Sequence, residues 1–171
     1  MKQSLHKNNS IEEKLSLSVE FPSVYRIAKE EEKFYWIRKD LRTGSMNIML
    51  LALPMDAISE GDEAVNDIIK IRDSLGRAHI PGPVDGSYMI TEAAFTPFTS
   101  KTIIDNKEAI ETKGTWEVKN AFMAGPFINY VIKDEVNNRL IMAEGFTFAP
   151  SVEKRDHMFE LEAILRSIDI K

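Results

Sequence analysis

The chain has 171 residues, 43% of them hydrophobic, with 22 basic against 27 acidic side chains and a net charge of −5. That length suits one domain with a core that needs no staple. The acidic balance, without a basic stripe, argues against nucleic acid and anionic membranes as partners. The absence of cysteine removes disulfides, thiol nucleophiles, thiolate zinc sites and iron–sulfur clusters.

Residues 1–14 read as a polar N-terminal segment, followed by a single α+β domain over 15–171. The first nine residues carry charge but no apolar stretch of the kind a secretory leader has, so no signal peptide is expected. No apolar run approaches the roughly 18–20 residues of a membrane span. Leu15, Leu17 and Val19 alternate with polar residues and predict a half-buried strand that Pro22 ends. A short strand is expected over Tyr25–Ala28, a solvated turn at Glu30–Lys33, and an aromatic strand over Phe34–Lys39 with Gly44 in the following turn. Met46–Leu53 is apolar on both faces, the mark of a central strand.

Ser59 and Asp62 are candidate caps for a helix reaching His79. Its apolar stripe is Ala64, Ile68, Ile71, Leu75 and Ala78, and its polar face holds Glu63, Asp67, Lys70 and Asp73. Strands are then expected over Tyr88–Phe95, Lys101–Asp105, Glu108–Val118, Phe127–Lys133 and Arg139–Phe148. The last two are joined by an Asp134–Asn138 hairpin turn. Pro150 and Ser151 are expected to start a final helix with the stripe Met158, Leu161, Leu165 and Ile168. Strands joined by short turns, with helices at two points, imply an α+β fold: a mostly antiparallel sheet with flanking helices.

Two segments stand out as shaped loops. In Pro81-Gly82-Pro83-Val84-Asp85-Gly86, four of six residues are proline or glycine, which excludes helix and ladder alike. Phe122-Met123-Ala124-Gly125-Pro126-Phe127 is a second turn, with large apolar groups expected to plug one end of the core or, facing outward, to form an adhesive patch. Rigid loops on a scaffold are where binding residues sit. The candidate contacts are therefore Pro83, Asp85, Tyr88, Phe122 and Met123.

No catalytic constellation emerges. His6, His79 and His157 are scattered, and none lies at i, i+4 from another. Ser87 beside Asp85 lacks a histidine base, and the glycine-rich loop lacks the lysine of a phosphate cradle. Glu30–Glu32 sit on a solvated turn, and Asp134, Asn137 and Asn138 lack the spacing of a calcium loop. Trp36 and Trp116 read as core or cross-strand aromatics. No catalytic residue, metal site or cofactor is assigned.

Ile71-Arg72-Asp73-Ser74 followed by Ile80 to Glu92 resembles a family of Bacteroidetes envelope lipoproteins, the domain of unknown function 4837. The likeness continues through Gly114-Thr115-Trp116, Phe122 to Phe127, Glu144-Gly145-Phe146 and Ala149 to Leu165. The resemblance implies a lipid-anchored envelope protein with an additional N-terminal half, of which this chain would be the C-terminal part. The family carries no established activity. In outline the order of elements is also similar to the Mog1/PsbP-like sandwiches, an antiparallel sheet between helices.

The leading expectation is a non-catalytic cell-envelope domain that binds a protein or glycan partner through the two loops. One rival is a small-molecule hydrolase with a cleft near Asp85, Glu144 and Arg38, which needs ionisable groups converging in a pocket. Another is a structural half that packs on a sister domain.

Overall fold

The computed structural model describes residues 4–7, 9–150 and 152–171. In chain order the elements are α1 (Ser10–Leu15), β1 (Leu17–Ser18), β2 (Arg26–Glu30), β3 (Phe34–Leu41), β4 (Gly44–Pro54), a 3₁₀ turn (Gly61–Glu63) and α2 (Ala64–His79). They continue with β5 (Met89–Thr91), β6 (Phe98–Ile104), β7 (Lys107–Val118), β8 (Ala124–Asp134), β9 (Arg139–Phe148), α3 (Arg155–Arg166) and β10 (Asp169–Ile170).

One antiparallel sheet of order β2-β3-β4-β9-β8-β7-β5 forms the body, with β6 also paired to β7. β1 and β10 make a separate two-stranded ribbon. Both faces of the sheet are covered. Phe34, Met49, Phe127, Val131, Met142 and Phe146 meet Ile68 and Leu75 of α2 on one side. Tyr35, Ile37, Ile48, Leu50, Tyr130 and Ile141 meet Leu161 and Leu165 of α3, with Ile11 and Leu15 of α1, on the other. Alternate residues of a strand point to opposite faces. The unbroken buried run Ser45–Leu50 follows from β4 lying mid-sheet between two helical layers. The fold is α+β with a mostly antiparallel sheet between helices.

Several boundaries move. The strand expected at Leu15–Val19 shortens to β1, because Leu15 closes α1 and Ser16 turns the chain in the left-handed region (φ 51°). The strand expected at Tyr88–Phe95 is only β5. α2 starts at Ala64 without a side-chain cap, and Asp67 instead accepts the Ser59 N–H at 2.7 Å. α3 starts at Arg155; Ser151 lies outside the described residues.

The apolar stripe of α2 is also rotated. Ala64, Ile68 and Leu75 are buried, but Ala78 is exposed and Arg72 and Gly76 are buried in its place. Gly76 belongs there for steric reasons: a Cβ would sit 1.9 Å from the Met89 carbonyl oxygen. Only glycine lets α2 lie this close to β5.

Candidate functional site

α2 ends with the His79 ring stacked on Phe34, centroids 4.0 Å apart, and Ile80 N–H bonded to the Gly76 carbonyl at 3.0 Å. The chain then folds back on itself. Pro81 bridges Tyr88, Gly82 N–H donates to the Ser87 carbonyl at 2.9 Å, and Ser87 N–H donates to the Val84 carbonyl at 2.9 Å. The buried Ser87 hydroxyl donates to the Val84 carbonyl and accepts the Val84 N–H at 3.1 Å. Its role is to staple the turn that Gly86 (φ 77°) allows. Pro83, Val84 and Asp85 are left exposed at the tip, while Tyr88 is half-buried with the Arg77 guanidinium 5.8 Å from its ring.

The second loop is tied to the first. Val118 N–H donates to the Met123 carbonyl at 2.9 Å, Ala121 N–H to the Val118 carbonyl at 3.2 Å, and Lys119 N–H to the Tyr88 carbonyl at 3.3 Å. The turn expected over Phe122–Phe127 lies instead at Lys119–Met123, because Ala124–Phe127 open β8, and the expected apolar plug is split. Met123 packs on the α2-side core, whereas Phe122 is fully exposed. The tight turn, with Asn120 at φ 66°, sends neighbouring side chains to opposite sides.

Between the loops lies a shallow concavity of about 70 Å³. Trp116 and Phe146 lie at its base, Trp36 and Arg38 line one side, and Pro81, Gly82 and Met123 another. Its polar groups are bonded inward. Trp36 Nε1 donates to Asn47 Oδ1 at 3.0 Å, Asn47 Nδ2 to Ser45 Oγ at 3.0 Å, and Trp116 Nε1 to the Thr147 carbonyl at 3.2 Å. Arg38 Nε donates to Asp40 Oδ1 at 2.7 Å. A larger hollow of about 260 Å³, between α3 and β7–β8, lies on the opposite face of the sheet; Pro126 and Phe127 of the expected second turn line it, but no residue of Pro81–Tyr88 or Lys119–Met123 does.

The three residues of the expected hydrolase cleft do not come together. Arg38 lines the concavity, Asp85 stands on the exposed loop tip, and Glu144 is wholly buried. Glu144 is held by the equally buried Arg72. The guanidinium is bidentate, with Nε on Oε1 and Nη2 on Oε2 at 2.9 Å. Arg72 also donates Nη1 to the Thr91 hydroxyl and stacks 3.6 Å above the Phe127 ring. Asn129 Nδ2 adds a bond to Glu144 Oε1 at 3.0 Å. The pair fastens the middle of α2 to β9, and so aims the helix end that launches the Pro81–Tyr88 loop.

Sequence reasoning missed this pair. Its signal was one charge of each sign inside otherwise apolar faces: Arg72 between Ile68 and Leu75, and Glu144 within the Leu140–Phe148 run. The other acidic turn is plain. Asp134 accepts from Asn137 Nδ2 and Arg139 Nε, each at 2.8 Å. Burial pushes its carboxyl up, but those two donors outweigh burial and hold it low.

The fold is similar to that of Mog1p of Saccharomyces cerevisiae, described as a Ran-binding protein. The TM-score is 0.54 over 91% of this chain and 90% of that one, at 8% identity. A point variant of protein Mog1 aligns at 0.58 over 99% and 96%, with 7% identity. LpqN of Mycobacterium tuberculosis, described as involved in cell envelope biogenesis, aligns at 0.45 over 90% and 82%, with 12% identity. The Mog1 likenesses establish the fold alone. Among curated proteins none matches. The family profile described as domain of unknown function 4837 matches residues 4–167, and the chain belongs to that family.

Proposed function

We propose that the domain is a non-catalytic cell-envelope module that binds a protein partner across the Pro81–Tyr88 and Lys119–Met123 loops. One observation carries the reading: two rigid loops from distant parts of the sequence are joined at the Lys119–Tyr88 hydrogen bond, and both rim the same concavity. Exposed Pro83 and Val84 stand at the tip of the first loop, and fully exposed Phe122 projects from the second. Burying such groups is worth roughly 1.5–3 kcal/mol each, and aromatic anchors dominate protein interfaces. A glycan is the weaker reading, because both indole N–H groups and Asn47 are already spent inside the site. The envelope setting rests on what the family resemblance implies.

The test is capture from envelope extracts with purified variants. Tyr88→Ala with Phe122→Ala should lose at least about tenfold in partner recovery while the thermal midpoint stays within a few degrees. Unchanged recovery removes the two loops from the account. Recovery of polysaccharide in place of protein, abolished by the same variants, turns the reading to the glycan.

A further inference from the structure

Three strands of the main sheet lie at its margins, and each is managed differently. β2 carries Arg26, Lys29 and Glu30, and its register with β3 slips between Ile27 and Lys29; charge and a bulge both block strand addition. β5 is covered, with Thr91 N–H on Asp73 Oδ1 of α2 at 2.7 Å and Met89 N–H on the Ile80 carbonyl at 3.1 Å. β6 is neither bulged nor covered. Among the described residues no strand pairs with its outer side. Its sequence, Phe-Thr-Ser-Lys-Thr-Ile-Ile, holds one charge and no proline or glycine, and Phe98 and Ile103 are 73% and 65% exposed.

The β6–β7 hairpin determines which backbone groups are open. Asp105 and Asn106 both have positive φ (51° and 58°), the mark of a two-residue type I′ turn. Ile104 and Lys107 then form a hydrogen-bonded pair, and so do Thr102, Ser100 and Phe98 with their partners on β7. The N–H and C=O groups of Thr99, Lys101 and Ile103 therefore point away from the sheet.

The geometry points to β6 as a homodimerisation edge, pairing antiparallel with β6 of a second copy about a two-fold axis at Ser100. A two-fold axis perpendicular to the sheet keeps the two faces in register, so residues of the same face lie opposite each other. Ser100 then faces the partner's Ser100, Thr99 the partner's Lys101 and Phe98 the partner's Thr102, and the pairing ends there because Pro97, just before β6, is buried in its own subunit and has no N–H. Phe98 gains a cross-strand neighbour, Ile103 a diagonal one in the partner's Thr99, and no like charges lie directly opposite each other. The adjacent register, centred on Lys101, sets lysine against lysine and is disfavoured. β6 supplies its own complement in length, polarity and pattern. About 17 Å of paired strand, Phe98–Thr102, gives a contact below the roughly 1,200 Å² of stable interfaces. The dimer is accordingly weak and concentration-dependent.

Sedimentation velocity of the full chain over about a hundredfold concentration range should show the mass rising from 19.5 kDa towards its double. Lys101→Pro removes an outward N–H and spares the β7 ladder, and Ile103→Lys changes only an exposed side chain; each should raise the dissociation constant at least about tenfold. Tyr88→Ala with Phe122→Ala should leave dimerisation unchanged, which separates this inference from the partner-binding reading. The chain has no cysteine, so Ser100→Cys gives a clean register test. Paired across the axis without ladder bonds, the two Cα atoms lie about 4.5 Å apart, within disulfide reach. Mild oxidation should trap Ser100→Cys as a dimer and leave Thr102→Cys largely monomeric. A monomer at every concentration, a dimer that survives both edge variants, or equal trapping of the two cysteine variants would overturn the proposal.

Discussion

Arg72 and Glu144 carry the highest stakes of any residues here. Two wholly buried charges are held by a bidentate contact, a threonine, an asparagine and an aromatic face. Breaking such a pair strands the surviving charge and costs about 3–5 kcal/mol, whereas replacing both partners with apolar groups is often neutral. Glu144→Ala should therefore lower the urea-unfolding free energy by about that amount, and Arg72→Met with Glu144→Leu should recover most of it. Equal stability of Glu144→Ala and the parent would show that the pair does not hold α2. These charges were hard to read in the sequence because arginine and glutamate are presumed to face water. A full helical-wheel reading puts Arg72 amid Ile68, Leu75 and Gly76, and that position was the available clue.

At the scale of elements, each helix is seated by a particular device. Gly76 lets α2 touch β5, and Gly145 does the same for α3, since a Cβ there would meet Leu161 Cβ at 2.9 Å. Gly76→Ala must displace backbone, so it should cost about 1–3 kcal/mol or more in thermal or urea unfolding; a stabilised variant would contradict the close approach. α1 is pinned through Glu30, which accepts the Tyr35 hydroxyl at 2.8 Å and pairs with Lys14 at 3.2 Å. Hydrogen bonds from Ser10, Tyr35 and Lys14 hold its carboxyl at about 2, against an ordinary 4.5. The folded state therefore binds fewer protons between those values. Its contribution is complete above pH 4.5 and fades as pH falls towards 2. Glu30→Gln should flatten the acid side of the stability profile in that window, and an unchanged slope would show that the contact carries no linkage.

The long elements were legible because their patterns repeat. Period-two alternation and apolar runs mark β3, β4, β7, β8 and β9, and the Ile68–Leu75 spacing marks α2. Short pieces were legible only in part: strands were expected around β1, β2 and β6, with other bounds, and β10 was not expected. β1 and β10 are two residues each and form only because they pair with each other. β5 is trimmed to three residues, because past Thr91 the ladder to β7 is continued only by β6.

For the whole molecule, the sheet and its two helical layers place the Pro81–Tyr88 and Lys119–Met123 loops at one end, opposite the Asp134–Arg139 hairpin. The proline and glycine content made the loops visible in the sequence. Their junction was not visible, since it depends on β5 pairing with the far end of β7. The absence of native cysteine permits the most direct test of the binding surface. Asp85→Cys, Phe122→Cys and Glu135→Cys, each carrying a photo-crosslinker, are exposed in turn to envelope extract. The account predicts that the first two trap the same protein and that the hairpin position does not. Trapping from Glu135→Cys alone, or of unrelated proteins from Asp85→Cys and Phe122→Cys, would contradict it.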